Sequence, residues 1–245
     1  MNKYNKIKQN FFYANEYSNN ATVQTLVRKQ LLNISLEFVN TPVNNLLCLG
    51  VRNTSELLEL NNTFQPNTLD IVDLALPNLS NSQIYNVKNI SFFELNFDQD
   101  LHLLTKSYDL IFSNMSFQWS NNLNNLISNL KRKLNSKSLL AFSTLLSGNF
   151  YEITNTLRTN KMLPKNTILK TIKDNKLTCL YNRSYYLTLR FDNFKQLTAH
   201  LRNTGVNTYT GSLNKVSFST IKNLYKQSND CKLTYHIGLF ICHKE

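Results

Sequence analysis

The strongest constraint in this chain of 245 residues is an alternation of short apolar runs with amphipathic stretches between residues 45 and 145. Leu46-Leu47-Cys48-Leu49 is apolar throughout and stops at Gly50. Thr68 to Asp73, Ile90 to Leu95, Tyr108 to Ser113 and Leu139 to Thr144 read as further strands. Continuous apolar runs suit strands buried on both faces, as in a parallel sheet. The stretches between them carry helical signals. Thr54-Ser55-Glu56 can cap a helix through Leu57, Leu58 and Leu60, and Leu123, Leu126, Ile127, Leu130 and Leu134 share one face of another. Strand and helix in turn imply a mostly parallel sheet with helices on both faces. Ligands on such sheets bind outside the carboxyl ends of the strands.

The flanks extend this pattern. Ala21, Val23, Leu26, Val27, Leu31, Ile34 and Phe38 recur at helical spacing within 17–39, and Pro42 ends that element. Residues 146–182 lose the rhythm, contain Pro164 and suit a lid. Tyr185 to Phe191 reads as a strand. Asp192 and Asn193 can cap a helix carrying Phe194, Leu197 and Leu201, with Gly205 at its C-terminal cap, and Leu233 to Cys242 forms a last strand. The expected organisation is one domain over 1–245, with a helical cap at about 5–40, a core at about 44–145 and a lid at about 146–182.

Lys and Arg number 27 against 15 Asp and Glu, a formal charge of +12. Such a surface attracts a polyanion. The densest run, Lys131-Arg132-Lys133, adjoins Leu130 and Leu134 on the predicted helix and reads as its solvated face. Cys48, Cys179, Cys231 and Cys242 form no C-x-x-C pair and no zinc-like cluster. Met1 to Asn10 lacks an apolar leader core, and no stretch approaches the roughly 18 apolar residues of a membrane helix. The expectation is a cytoplasmic, reduced protein with no metal and no membrane partner.

Two positions frame a ligand site. The first strand-to-helix turn, Leu49-Gly50-Val51-Arg52-Asn53-Thr54, contains Gly50 as its one glycine, where a cofactor loop usually carries several. Asp73 ends the second strand, close to the ~20 residues usual between such a turn and an acid that accepts both hydroxyls of a ribose.

The more specific signals lie downstream. Asp109-Leu110-Ile111-Phe112-Ser113-Asn114-Met115-Ser116-Phe117-Gln118-Trp119 resembles the D-L-x-x-S-N-L-x-x-Q-W signature of malonyl-acyl carrier protein O-methyltransferases of the BioC type. Phe142-Ser143-Thr144-Leu145-Leu146-Ser147-Gly148-Asn149-Phe150-Tyr151-Glu152 resembles that family's F-S/T-T-L-x-x-G-S-L-x-E-L. Phe12 to Tyr17 with Ala21 to Gln24, Phe191-Asp192 with Leu201 to Asn207, and Leu233-Thr234-Tyr235-His236 resemble its remaining segments in order.

The resemblance implies a Rossmann-like class I methyltransferase: a mostly parallel seven-stranded sheet with an antiparallel last strand, helices on both faces, an N-terminal helix and a helical lid. It implies S-adenosyl-L-methionine as cofactor, held by Tyr17, Gln24, Gly50, Asp73, Leu74, Asn96, Phe97, Ser113, Asn114 and Met115. It implies malonyl-acyl carrier protein as substrate, met by Tyr17, Trp119, Arg158 and Lys161, in the first step of the pimeloyl chain of biotin. A carboxylate is already anionic at neutral pH, so no catalytic base is expected. An acidic carrier protein then accounts for the basic surface better than nucleic acid does, and a monomer is expected.

The chain also departs from the family. Where the family loop resembles D-x-G-C-G-x-G, this chain has Cys48 for the acid and Arg52 and Thr54 for the later glycines, and Asn96 stands where an acid near the adenine is usual. Arg52 and Thr54 are expected to crowd the methionine portion, and the Arg52 charge to disfavour a sulfonium. The alternative is a degenerate methyltransferase fold acting as a carrier-protein or subunit interaction module. An RNA methyltransferase lacks its expected Asn-Pro-Pro-Tyr-like turn here.

Overall fold

The computed structural model describes residues 3–12, 21–40, 42–76, 89–154, 157, 159–204 and 231–245. Tyr17, Arg158 and Gly205, singled out in the sequence, lie outside the described residues.

The apolar runs form strands as their composition demands. β1 (Asn45–Leu49), β2 (Thr68–Asp73), β3 (Ile90–Glu94), β4 (Tyr108–Ser113), β5 (Leu134–Leu145), β6 (Thr178–Phe191) and β7 (Cys231–His243) make a sheet ordered β3-β2-β1-β4-β5-β7-β6. The first five strands pair parallel, and β7 runs antiparallel between β5 and β6.

Helices cover both faces. α1 is Lys3–Phe12, α2 Thr22–Leu36, α3 Thr54–Phe64, α4 Leu123–Lys133, α5 Lys165–Asp174 and α6 Phe194–Asn203. Successive β1 residues divide between two cores. Leu46 and Cys48 join Val23, Val27 and Leu31 of α2, Leu57 and Leu60 of α3 and Leu197 of α6. Leu47 and Leu49 join Leu126, Ile127 and Leu130 of α4 and Ile168 and Ile172 of α5. This two-sided burial is why β1 lacks polar alternation, and each buried Leu or Ile contributes about 1.5–3 kcal/mol.

The lid reading of 146–182 needs correction over its second half. Ile168 and Ile172 of α5 are 1% exposed and pack in the sheet core, so α5 is a core helix. Residues 178–182 already belong to β6, paired with β7 up to His243. Leu134, placed on a helix by its spacing, instead opens β5 opposite Tyr108. Among the described residues no helix is long and apolar enough to cross a membrane.

Candidate functional site

The carboxyl ends of β1, β2 and β4 meet at Gly50, Asp73 and Asn114. Gly50 has φ +86°, and its N–H donates to Val72 O at 2.9 Å. A Cβ here would stand 2.2 Å from Ser116 Oγ and 3.2 Å from Ser116 Cβ. This one glycine is therefore needed twice over, for its left-handed backbone and for the close approach of the loop after β4.

The rest of the first turn is built from polar groups. Asn53 caps α3, its Oδ1 accepting from Glu56 N at 3.0 Å, and Glu56 Oε2 accepts from Arg52 N at 2.7 Å. Glu56 Oε1 also accepts from Arg28 Nη1 at 2.9 Å, while Arg28 Nε reaches Glu59 Oε2 at 2.8 Å. Arg28 and Glu56 are 4% and 5% exposed. Burial pushes the Glu56 carboxyl up from its ordinary range, and the Arg28 charge opposes that. The pair clamps α2 to α3 beneath the turn.

Asp73 sits at the rim of the resulting cleft with Oδ1 accepting from Ala75 N at 2.8 Å. Burial raises its pKa to about 6 against the pull of Arg52 and the neighbouring N–H groups. Arg52 Nη1 donates to Ala75 O at 3.1 Å. Its guanidinium thus lies along the loop after β2. The crowding expected from a side chain at this position is turned toward the Asp73 side.

The opposite wall explains why the sequence motifs occur together. Ser143 Oγ accepts from Met115 N and donates to Asn114 Oδ1, both at 2.8 Å. Thr144 Oγ1 donates to Gln118 Oε1 at 3.2 Å, and Gln118 Nε2 donates to Met115 O at 2.5 Å. The S-N-x-x-x-Q-W and F-S-T-L segments thus hold each other across β4 and β5. Glu152 Oε2 in turn accepts from Thr234 N at 3.0 Å, and Asn149 Oδ1 accepts from His236 N at 3.1 Å, joining Leu233-Thr234-Tyr235-His236 to the turn after β5.

The cleft and the open solvent at its mouth together take up about 870 Å3. α1 closes one side. Ile7 lines the cleft, Lys8 pairs with Glu94, and the Tyr4 hydroxyl donates to Asp98 Oδ2 at 2.8 Å.

Solved methyltransferases share this architecture. N-methyltransferase NodS of Bradyrhizobium japonicum in complex with S-adenosyl-L-homocysteine matches with a TM-score of 0.58 at 12% identity, covering 100% of this chain and 99% of that one. The 1,6-didemethyltoxoflavin-N1-methyltransferase of Burkholderia thailandensis matches with a TM-score of 0.58 at 9% identity, covering 96% and 87%. The fold is that of a class I methyltransferase. By sequence, this methyltransferase-fold chain is 31% identical over 156 residues to malonyl-(acyl-carrier protein) O-methyltransferase 2 of Coxiella burnetii. It is 33% identical over 142 residues to malonyl-(acyl-carrier protein) O-methyltransferase of Bacillus cereus, and 26% over 211 residues to that of Buchnera aphidicola. The matches take in 64%, 57% and 83% of this chain and 62%, 52% and 81% of the relatives. The first two therefore span less than two thirds of the relatives' length. No family model matches the chain.

Within the methyltransferase fold, Gly50, Asp73, Leu74, Asn96, Phe97, Asn114, Met115 and Trp119 line the cleft together. Ser113 does not: its hydroxyl donates to Leu49 O at 3.1 Å and stitches β4 to β1. Gln24 stands behind Asn114, whose Nδ2 donates to Gln24 O at 3.0 Å, and among the described residues Gln24 Oε1 is buried without a hydrogen-bond partner. Lys161 is exposed and is not among the lining residues. Its segment is tied to the carboxyl end of β5, where Ser147 N donates to Leu163 O at 3.0 Å.

Sequence reasoning missed Tyr4, Ile7 and Lys8, because α1 carries no strong apolar stripe. It also missed Arg28 and Glu56. Glu56, three residues after Asn53, was legible as a capping pattern, but its burial with a helix cation was not.

Proposed function

We propose that the chain transfers the methyl group of S-adenosylmethionine to the free carboxylate of malonyl held on acyl carrier protein, opening the pimeloyl chain of biotin. One observation carries this reading. The motif segments 113–119 and 142–152 hold each other at the cleft through Ser143 and Thr144, in a chain whose curated relatives bear that enzyme's name.

The cleft suits the cofactor. Gly50 leaves the floor without a side chain, Arg52 lies against Ala75 O, and Asp73 offers a carboxylate where ribose hydroxyls can be met. Bound there, the cofactor would supply an electrophilic methyl group on a cationic sulfur. Gly50, Asp73, Leu74, Asn96, Phe97, Asn114 and Met115 would hold it, Tyr17 and Gln24 are proposed to contribute as well, and Trp119 would wall the methyl group. The malonyl carboxylate is ionised at neutral pH, so the protein need only align it and exclude water. His200 is no alternative base. Its Nε2 is 2.8 Å from Tyr235 Oη, and burial lowers its pKa to about 4.

Lys161 and Arg158 are the proposed cations for the substrate carboxylate. Lys161→Ala is expected to raise the malonyl substrate KM about 10-fold, the scale of one charged hydrogen bond, and to leave the Kd of S-adenosylhomocysteine alone. An unchanged KM removes Lys161 from the site. On this reading the +12 charge draws in an acidic carrier protein, and the protein works as a cytoplasmic monomer without nucleic acid.

Asp73 sets a pH test. Its hydrogen bonds to a ribose need the carboxylate, and its pKa is raised to about 6. Affinity for S-adenosylhomocysteine should be full above pH 7 and fall as pH drops through about 6. An ordinary carboxylate would hold until about pH 4. Calorimetric titration across pH 5–8 reads this, and Asp73→Asn should flatten the profile at a weaker level. A profile flat to pH 5 in the parent protein would remove Asp73 from the ribose site.

A second reading rests on Cys48, Arg52 and Thr54, which replace an acid and two glycines: a carrier-protein-binding module without catalysis. Titration with S-adenosylhomocysteine separates the two, followed by mass spectrometry of malonyl-carrier protein for one added methyl group. Binding and methylation support the enzyme, and absence of both supports the module.

A further inference from the structure

Away from the cleft, β6 and β7 place two cysteines side by side. Cys179, near the start of β6, and Cys242, near the end of β7, are register partners in the antiparallel ladder. Both are free thiols. Directly opposed residues in such a ladder have Cα atoms about 4.5–5.5 Å apart, inside the span that a disulfide bridges. Cys242 is fully buried and paired with Leu140 on its other side. Cys179 is half-buried on the edge strand, so a reagent reaches the pair through Cys179. Among the other cysteines, Cys231 lies opposite Phe191 at the far end of the same ladder, and Cys48 is buried in β1.

We propose that Cys179 and Cys242 form an oxidisable dithiol site, in which Cys179 attacks a low-molecular-weight disulfide and Cys242 resolves the product into a β6–β7 crosslink. The surroundings support this division of labour. Cys242 beside it draws the Cys179 thiol down to about 7 against the effect of burial, helped by Asn182 Nδ2 at 3.8 Å and the Lys165 charge. As a thiol, Cys179 donates to Tyr181 O at 3.4 Å. Cys242 is held protonated, raised by the neighbouring Cys179 and by burial. An accessible thiolate beside a protonated neighbour is the arrangement that exchange requires.

Cys179 thiolate bonds to one sulfur of the external disulfide, whose S–S bond breaks and releases one thiolate. Cys242 attacks the Cys179 sulfur and its proton passes to the second external sulfur, which leaves as a thiol. The two cysteines lose two electrons, and the external disulfide takes them up to become one thiolate and one thiol. The crosslink closes the chain between residues 179 and 242 and pins the edge strand, which raises stability mainly by restricting the unfolded chain.

The test uses the full chain and oxidised glutathione, followed by alkylation, digestion and mass mapping. The parent protein should yield a peptide pair joined through Cys179 and Cys242, with Tm raised by roughly 5 °C or more and restored by reductant. Cys242→Ser should stop at the first step, with one glutathionyl group trapped on Cys179. Cys179→Ser should give neither crosslink nor adduct on Cys242. The proposal is overturned if the parent protein forms no 179–242 link, or if the adduct in Cys242→Ser collects on Cys231 and spares Cys179.

Discussion

Gly50→Ala is expected to weaken S-adenosylhomocysteine binding by roughly 10- to 100-fold and to lower folding stability by about 1–3 kcal/mol. The torsion comes first. At φ +86° an alanine is strained whatever space surrounds it. The space is also missing. Ser116 Oγ, 2.2 Å from the new Cβ, can rotate away, but Ser116 Cβ at 3.2 Å moves only with the loop after β4. That loop carries Asn114 and Met115 on the cleft wall. Adding Ser116→Gly to Gly50→Ala should recover the part of the loss that arises from contact and leave the torsional part. Titration calorimetry with chemical denaturation separates the two quantities. Gly50→Ala with the parent's affinity would show that no ligand approaches this turn.

Arg28→Met should cost about 3–5 kcal/mol of stability at pH 7.5, because it leaves the buried Glu56 carboxylate without its ion-pair partner. Glu56 retains the Arg52 N–H, but one backbone donor does not offset a buried charge. The sign with pH follows from the carboxyl group. Burial already favours the protonated acid, and removing Arg28 removes the influence that most opposes it. The Arg28→Met deficit should therefore shrink as pH falls, since Glu56 can take up a proton. The double variant Arg28→Met/Glu56→Gln should regain most of the loss at pH 7.5, with no charge left to strand. Urea denaturation at pH 5.5 and 7.5 reads all three proteins. A deficit that is equal at both pH values would assign the loss to Arg28 packing, because its aliphatic stem is buried too.

How much of this was legible in the sequence follows from the kind of force at each position. β1, β2 and β4 were readable because interior strands covered on both faces are apolar at most residues. The start of β6 was not, because an edge strand from Thr178 to Ser184 has one side in solvent and mixes polar with apolar residues. α5 was taken for part of a lid because it offers the core only Ile168 and Ile172. The burial of Arg28 was not legible, because it depends on Glu56 and Glu59 arriving from α3.

The sequence by itself determined the parallel sheet and a cleft at its carboxyl edge framed by Gly50 and Asp73, because these depend on local pattern and on strand ends, while Asn114 and Trp119 were placed there by the family resemblance. The tertiary structure alone decided where Arg52 points. A long side chain has many rotamers, and the choice falls to the Asp73 charge at the end of β2 and Ala75 O in the loop after it. It also decided that Cys179 faces Cys242, since strand register between distant segments is set by which faces the whole sheet must bury.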